Sequence, residues 1–437
     1  MALKIKKSEP TEITDKKRVT YGYSAIKYSI PNPPTGTHEN LLNIFYIALK
    51  PINIPAPPPV EMPEANLPRV LNYYADYGGC GFWRMIWPEF LLNFYQKAIC
   101  SGMTQMILDL RFYQNIKAVR FQRQATEHQL MFIKELNKVK KDFGLRLLYE
   151  VDDIVFREDI PDYNRCKDAF NDDKIVKNIL DIIGMMDEMT VTCQFMKDYY
   201  IHKTGNKNIT VIPNYAPKFW LDRFYNEDII LKNFEKNKKR PRVLYSGSGT
   251  HIDVLNRTGM KDDFHHVIDE IIKARKKFKF VWKGCYPLAL KPFIDNGEME
   301  YVEWSSLPNY PQDIVKTNSN VTFAPLVDNI FNKSKSNIKM IEAGALGLPG
   351  TYQDLCTYEM SDNKFKKGSD LINMLEHLTS DCDRYMKESK KARQYAETMW
   401  LEDHIDLYHG LYLTAWGSKE RNEKYPDLIS LNPDQKS

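Results

Sequence analysis

The feature that most constrains this chain is the alternation of short apolar runs with longer segments of helical periodicity. Leu145 to Val151 and Ile209 to Ile212 have the length and composition of buried strands, whereas Thr126 to Phe143 has the pattern of a helix that Gly144 ends. Strands that alternate with helices form parallel sheets covered by helices on both faces. The sequence therefore predicts an α/β fold with doubly wound sheets.

The alternation is interrupted once, by an aromatic and then strongly basic stretch that ends near Pro241. A chain of 437 residues is long enough for two domains with separate cores. The composition shifts predict a proline-rich N-terminal arm (residues 1–67), a first domain (68–215), a linker (216–241), a second domain (242–398) and a C-terminal helix with a tail (399–437).

Each predicted domain begins with a strand and a glycine loop. Arg69 to Ala75 precedes Gly78, Gly79 and Gly81, and Arg242 to Ser246 precedes Gly247-Ser248-Gly249-Thr250-His251. Glycine lets the backbone approach a ligand closely, although a tight strand-to-helix turn uses glycine as well. Neither loop has the spacing of a dinucleotide-binding fingerprint.

The segment from Phe323 to Leu348 has the composition of an anion site. An apolar strand leads through a polar loop into a helix, and Ser334, Ser336 and Asn337 are residues that favour the N-cap position. The helix N-terminus would attract a phosphate, Lys339 would add a positive charge, and Glu342 could accept a hydrogen bond from a sugar hydroxyl. An ordinary exposed helix face is the alternative interpretation.

Composition excludes several classes of protein. No apolar run approaches the ~20 residues that span a bilayer, and the N-terminus has no signal-peptide core. The seven cysteines are scattered without a metal-binding spacing, which favours reduced thiols and a cytoplasmic location without a membrane partner. A net charge of +4 does not by itself indicate a polyanionic partner.

Four phrases, in order along the chain, resemble a known fold family: YEVDDIVF, VIPNYAP, LYSGSGTH and SKSNIKMIEAGALGLP. Over residues 68–416 the layout is similar to that of GT-B glycosyltransferases, within them to retaining enzymes with an E-x7-E helix and to a branch common in phage genomes. The resemblance implies two Rossmann-like domains that face each other across a cleft, with C-terminal helices packing back. It also implies transfer of a sugar from a nucleoside-diphosphate sugar, with UDP as the expected nucleotide.

The resemblance assigns a donor site to the second domain. Glu342 matches the second glutamate of the motif, which holds the ribose, but Ser334 stands where the first glutamate would contact the sugar. That departure leaves the sugar's identity and part of the catalytic argument open. The remaining predicted donor-site residues are the backbone of Ser336, Asn337 and Ile338 at the diphosphate, Lys339 or Lys283 at the leaving phosphate, and the loop of Gly247, Ser248 and Gly249.

Catalysis in such a site must stabilise negative charge on the departing diphosphate while the sugar becomes oxocarbenium-like. A helix N-terminus and Lys339 supply that stabilisation without a metal or a covalently bound cofactor. Asp152 and Asp153 follow a strand at its carboxyl end, and we expect them to contact or deprotonate the acceptor hydroxyl; capping of the next segment is the alternative. His251 would reach the same cleft, unless it makes only a local hydrogen bond.

The first domain would bind the acceptor, for which the phage resemblance indicates hydroxymethylcytosine in double-stranded DNA, modified with glucose or arabinose. The residues predicted to contact it are Gly79, Gly81, Trp83, Arg84 and Arg123, supported by the cations Arg111, Lys117 and Arg120 and by Tyr113 and Phe121 as stacking surfaces. Two alternatives stay open. One is transfer to a glycan, a protein or a small molecule, and the other is an inactive module that only binds the sugar nucleotide.

Overall fold

The structure, a computed structural model, describes residues 67–259 and 261–430, so the predicted proline-rich arm lies outside the described residues except for position 67. It contains two parallel six-stranded sheets. The strands of the first sheet are β1 (Arg69–Tyr73), β2 (Ile99–Met103), β3 (Ala118–Gln122), β4 (Arg146–Glu150), β5 (Glu188–Val191) and β6 (Ile209–Val211). The strands of the second sheet are β7 (Arg242–Gly247), β8 (Lys279–Gly284), β9 (Glu300–Val302), β10 (Val321–Ala324), β11 (Gly350–Gln353) and β12 (Lys364–Phe365).

Helices connect these strands throughout. Those of the first half are α1 (Trp87–Phe94), α2 (Glu127–Phe143), α3 (Asp173–Ile183), α4 (Gln194–Thr204), α5 (Lys218–Leu221) and α6 (Glu227–Asn237). Those of the second half are α7 (Ile268–Ala274), α8 (Lys291–Asp295), α9 (Tyr310–Lys316), α10 (Ile330–Lys333), α11 (Ile338–Ala345), α12 (Gly368–Thr379), α13 (Cys382–Glu397), α14 (Ile405–Leu413), α15 (Lys419–Lys424) and α16 (Pro426–Ser430).

The strand order fixes where each sheet can bind a ligand. The first sheet runs β2-β1-β3-β4-β5-β6 and the second β12-β11-β10-β7-β8-β9. The chain therefore changes direction across the sheet between β1 and β3 in the first domain and between β7 and β10 in the second. In open α/β sheets, ligands bind outside the carboxyl ends of the strands at such a switch point.

Both faces of the sheets are covered. In β1, Val70 contributes to one hydrophobic cluster and its neighbour Leu71 to another, as expected when alternate side chains point to opposite, equally buried faces. The predicted fold of two doubly wound parallel sheets is confirmed. The segment predicted as a linker holds the two helices α5 and α6.

Some elements were not predicted correctly. The apolar residues from Met106 to Leu110 predict a strand, but residues 106–109 are irregular, a 3-10 helix begins at Leu110, and the strand lies instead at Ile99–Met103. After Pro349 the sequence predicts helices at Leu371 to Thr379 and Cys382 to Thr398, which α12 and α13 confirm, but it does not predict β11 and β12, which precede them. Both strands are short and contain polar residues, and β12 is the edge strand of the sheet, so they lack the apolar run that marks a buried strand.

The C-terminal helices return to the first domain, as predicted. Arg421 on α15 is completely buried and both of its terminal nitrogens lie 2.7 Å from the carboxylate of Glu188 on β5. The Tyr412 hydroxyl on α14 donates to Asn72 Oδ1 at 3.0 Å. Because removing one partner of a buried ion pair costs about 3–5 kcal/mol, Arg421 holds this return firmly.

The two domains also meet directly through polar contacts. Asp153 pairs with Lys335 at 2.6 Å, Asn214 Nδ2 donates to Ser336 Oγ at 2.8 Å, and the Tyr163 hydroxyl donates to Asp263 Oδ1 at 2.7 Å. These contacts place the carboxyl end of β4 opposite the loops around α11. In the described part of the chain, no helix is long and apolar enough to cross a bilayer.

Candidate active site

The candidate site lies at the switch point of the second sheet. Ser246 near the end of β7 and Lys339 on α11 are joined by a hydrogen bond from Lys339 Nζ to the Ser246 carbonyl oxygen at 2.5 Å. The same ammonium lies 4.7 Å from the centre of the Tyr245 ring. A Cβ at Gly247 would lie 2.4 Å from the Tyr245 hydroxyl and 2.7 Å from Lys339 Nζ, so a larger residue here would displace one or both of these side chains.

The N-terminus of α11 is left open. Asn337 is its N-cap residue, but its side chain makes no capping hydrogen bond and its amide nitrogen instead donates to the Tyr395 hydroxyl at 2.5 Å. Ser336 precedes the N-cap position, and its hydroxyl accepts from Asn214. Within the described residues, the backbone N–H groups of positions 336–339 have no hydrogen-bond acceptor. Such a helix end can bind an anion.

One turn deeper, Glu342 completes a short polar chain. Its Oε2 accepts from the Tyr310 hydroxyl at 2.9 Å, and that hydroxyl lies 3.0 Å from Ser246 Oγ. Burial raises the pKa of Glu342 to about 7 and lowers the pKa of Lys339 to about 8. The attraction between the two opposite charges opposes both shifts but does not cancel them, and both side chains are partly accessible. Both groups therefore change protonation close to neutral pH, and an anionic ligand would favour the charged lysine.

Two further groups surround the helix end. Lys335 lies just before α11 and pairs with Asp153 of the first domain. The His251 imidazole bonds through Nδ1 to Asp263 Oδ2 at 2.8 Å. Burial lowers the pKa of His251 despite the opposing effect of its hydrogen bond to Asp263, and the charges of Lys339 and Lys335 lower it further. Of the predicted residues, the structure thus brings His251, Lys339, Glu342 and the backbone at 336–338 together.

Lys283, predicted as an alternative to Lys339 at the leaving phosphate, makes its contacts elsewhere. It is buried, and its ammonium donates to the Glu303 carbonyl oxygen at 3.0 Å and to Ser305 Oγ at 2.5 Å. Its hydrogen bonds are directed to the loop after β9 and not to Glu342 or Lys339. The loop residues Ser248 and Thr250 hydrogen-bond each other at 2.9 Å, and Gly249 packs near Val254.

Ser334 does not fit the role that the resemblance implied for it. The residue is completely buried, and its hydroxyl donates to the Phe331 carbonyl oxygen at 2.6 Å. It follows α10, whose last turn it closes, and does not cap α11. The Ser334 side chain is therefore not accessible to a transferred sugar, and the predicted contact was wrong.

On the first domain, Arg123 links the acidic residues at the carboxyl ends of the strands. Its guanidinium lies 3.0 Å from Asp76 and 3.5 Å from Asp152. Burial alone would raise the pKa of Asp152, but Arg123, a hydrogen bond from Cys80 and the charges of Arg84 and Lys335 together hold that pKa below its usual value. Asp152 is consequently a weak base at neutral pH, suited to accepting a hydrogen bond and not to removing a proton.

The two predicted glycines of the first loop differ. A Cβ on Gly81 would lie 2.0 Å from the Asp76 carbonyl oxygen, so this glycine is required by the turn itself. A Cβ on Gly79 would meet nothing within 4 Å, and the residue is exposed. Only Gly79 offers its backbone to a ligand.

Most of the predicted acceptor side chains belong to the interior. Trp83 packs edge-on against Trp87 and Trp220, and Arg84 is completely buried against Glu150 at 2.7 Å, so both acceptor-contact predictions were wrong. The same correction applies to the buried supporting residues Arg120, Tyr113 and Phe121, and Lys117 precedes β3 at the opposite edge of the sheet. A sequence cannot distinguish a buried, paired arginine from an exposed one.

Three residues of the site were missed. Tyr310 begins a short helix, Asp263 lies in an acidic loop, and Trp304 is 58% exposed with its ring against Gly284 and 6.0 Å from the ring of Tyr310. None belongs to a recognisable motif. The GSGTH phrase was the available signal for Asp263, since a histidine after a glycine loop needs a partner for its second nitrogen.

Comparison with family models found no match, and comparison with curated proteins found none either. Among solved structures, an alpha-glucosyltransferase in complex with UDP and a 13-mer DNA containing a HMU base matches with 11% identity and a TM-score of 0.47, over 78% of this chain and 98% of that one. A TarM mutant from S. aureus in complex with Fondaparinux, alpha-GlcNAc-glycerol and UDP matches with 11% identity and a TM-score of 0.44.

That TarM match covers 69% of this chain and only 55% of the TarM chain. MurG from Acinetobacter baumannii matches with 10% identity and a TM-score of 0.38, over 78% of this chain and 98% of MurG. At these identities and TM-scores, the donor, the acceptor and the site residues of this chain follow only from its own geometry. Among the described residues, no group of three or more His, Cys, Asp or Glu side chains is placed to hold a metal ion.

Proposed function

We propose that the chain is a glycosyltransferase that moves a sugar from a nucleoside-diphosphate sugar, with UDP as the nucleotide, to a hydroxyl acceptor in the cytoplasm. The observation that carries the proposal is the open N-terminus of α11 beside Lys339 at the switch point of the second sheet. Four unpaired N–H groups and one ammonium form a site for two linked phosphates, because each phosphate needs several donors at close range.

Departure of the diphosphate builds negative charge on the leaving oxygen, and the same groups stabilise it. The N–H groups are fixed by the helix and the lysine is held by Ser246 and by the Tyr245 ring, so little reorganisation accompanies the reaction. Lys335 is already paired with Asp153, and it closes the site from the side of the first domain.

The groups around Glu342 suit the nucleoside. Its carboxylate has a free oxygen beside the one that accepts from Tyr310, and it could accept from a ribose hydroxyl. The exposed face of Trp304 lies beyond Tyr310 and offers a stacking surface for a base. Ribose and base would thus extend from the helix end towards β9.

For the acceptor, we propose a hydroxymethylated cytosine in double-stranded DNA, receiving glucose or arabinose. The support is the accessible part of the first domain. Asp153 pairs with Lys335 just before α11, and Arg123 contacts the neighbouring Asp152. The segment after β2 exposes Arg111, which pairs with Asp109, beside Phe112, which is 46% exposed. A cation next to an exposed aromatic ring suits contact with phosphate and an unstacked base.

A second candidate acceptor is a hydroxyl of a glycan, a protein or a small molecule. The observation that favours it is the burial of Trp83, Tyr113 and Phe121, because a flipped base would need stacking surfaces that these rings do not provide. The donor half of the proposal is the same for both candidates.

The test is to incubate the full chain with radiolabelled UDP-glucose or UDP-arabinose and with DNA containing hydroxymethylcytosine. Label in DNA supports the first acceptor, and its absence from unmodified DNA of the same sequence is the control. Release of UDP without labelled DNA favours the second acceptor. Failure of every nucleotide sugar to bind in calorimetry refutes the proposed function.

A further inference from the structure

The contacts of Asp263 determine the state of the histidine beside the donor site. Asp263 is completely buried, and its Oδ2 lies 2.8 Å from His251 Nδ1. An ionised carboxylate can only accept hydrogen bonds, so the proton of this bond belongs to His251 Nδ1. In the neutral ring, the second nitrogen, Nε2, then carries a lone pair.

The other carboxylate oxygen of Asp263 is held by three donors. Its Oδ1 accepts from the Tyr163 hydroxyl at 2.7 Å, from Asn332 Nδ2 at 2.6 Å and from the backbone N–H of Val327 at 3.0 Å. These donors keep the group an acceptor and fix its orientation. Tyr163 belongs to the first domain, so the carboxylate is held from both sides of the cleft.

We infer that Asp263 is a positioning residue that holds His251 with the proton on Nδ1 and keeps Nε2 as a hydrogen-bond acceptor. This deepens the proposed function and rests on it for the role of Nε2, which would accept from a hydroxyl of the donor sugar. The tautomer itself follows from the contacts alone. Because Tyr163 comes from the first domain, the arrangement is complete only when the two domains are in contact.

The substitution Asp263→Asn gives a directional prediction. The three donors on Oδ1 would draw the carboxamide oxygen to their side, because an NH₂ group there would face donors on every side. The new NH₂ would then lie opposite His251 Nδ1 and donate to it. The ring must move its proton to Nε2, as in the comparable Asp→Asn change of a serine-protease triad.

The direct test is ¹⁵N NMR of the full chain with labelled histidine, at neutral pH. The chain has nine histidines, so loss of a signal in His251→Gln assigns this one. The wild-type signal should show a protonated Nδ1 and an unprotonated Nε2, and Asp263→Asn should reverse them. The matched control is Asp262→Asn, in which the neighbouring carboxylate, bonded to the backbone N–H groups of Asp253 and Phe264, loses its charge. It should leave the His251 tautomer unchanged.

A kinetic test separates positioning from a purely structural role. If Asp263 acts through His251, then Asp263→Asn and His251→Gln should each lower kcat by at least ~10-fold, and the double variant should lose no more than the larger single loss. Multiplying losses would show that Asp263 acts independently of His251 and would overturn the inference.

Two further results bear on the outcome. A wild-type His251 with its proton on Nε2 overturns the inference even if sugar transfer is observed. The predicted tautomer in a chain that binds no nucleotide sugar would refute the proposed function while supporting the positioning by Asp263. If Asp263→Asn fails to fold, Tyr163→Phe provides a second variant, because it keeps the carboxylate and its contact with His251. That variant should retain the proton on His251 Nδ1. A proton on Nε2 in Tyr163→Phe would contradict the role of the carboxylate.

Discussion

The substitution Lys339→Met should weaken UDP binding strongly. The change keeps a long unbranched side chain over the Tyr245 ring and removes only the ammonium, which lies 2.5 Å from the Ser246 carbonyl oxygen. Since Gly247 leaves room for the side chain, the methionine needs no rearrangement of β7.

The size of the effect follows from the position of the charge. Two opposite unit charges about 4 Å apart attract by about 4 kcal/mol at the effective dielectric of ~20 that describes such partly buried sites. Neighbouring N–H groups and water would compensate part of this loss. We therefore expect the binding free energy to fall by about 2–4 kcal/mol, which makes the dissociation constant ~30- to 1,000-fold larger.

Isothermal titration calorimetry with UDP measures this loss directly. The control is Lys333→Met, which makes the same substitution in a lysine that pairs with Asp328 on the surface, where solvent screens the charge. That variant should bind UDP within about threefold of the wild type.

The pH dependence gives a second measure of the same charge. Burial lowers the pKa of Lys339 to about 8, so above that pH the free protein loses a proton that the bound anion requires. UDP affinity should fall as the pH rises above about 8, by up to tenfold per unit, and Lys339→Met should abolish this dependence. A Lys339→Met protein that binds UDP as tightly as the wild type would refute the assignment of the phosphate site.

Four further predictions concern single residues. Glu342→Ala should weaken UDP binding at least tenfold in calorimetry, because the ribose loses an acceptor. Ser334→Ala should leave UDP affinity within about threefold, since its hydroxyl is already bonded to Phe331. Gly247→Ala should weaken UDP binding in the same assay by about tenfold, because the new Cβ would lie 2.7 Å from the neighbouring lysine ammonium. As the pH rises from about 5 to about 8, the melting temperature of the Glu89→Gln variant should fall less than that of the wild type.

The last prediction depends on the sign of one pKa shift. Burial raises the pKa of Glu89 from 4.5 to about 7 while Tyr74 and Asn72 donate to its carboxyl group. The folded state therefore holds a proton that the unfolded state releases, and stability is lost as the pH rises from about 4.5 through 7. An unchanged dependence of Tm on pH in the glutamine variant would contradict this account. The binding predictions would be contradicted by an unchanged UDP affinity in the Glu342 or Gly247 variant, or by a large loss of UDP affinity in the Ser334 variant.

The sequence predicted the fold better than the edges of its sheets. Strands such as Leu145 to Val151 are buried on both faces, so each appears as an apolar run with the expected length. β12 is the edge strand of the second sheet and β11 lies next to it; both are short and interrupted by polar residues, which gives them no such signal.

The relation between Lys339 and Glu342 was also more predictable than the surroundings of Arg84. Lys339 and Glu342 lie on one helix at a fixed spacing, so local sequence determines their relation. Arg84 depends on Glu150, which is 66 positions away, and only the tertiary structure shows that this arginine is buried and paired. Ser336 does not cap α11 as predicted, because the N-cap position is Asn337, and the Ser336 hydroxyl accepts from Asn214 of the other domain.

The most direct test of the central claim is a crystal structure of the full chain with UDP. The account predicts that the diphosphate lies at the start of α11, with its oxygens about 3 Å from the backbone N–H groups of residues 336–339 and from Lys339 Nζ. It also predicts the ribose beside Glu342. UDP bound elsewhere, with the end of α11 facing solvent, would contradict the account.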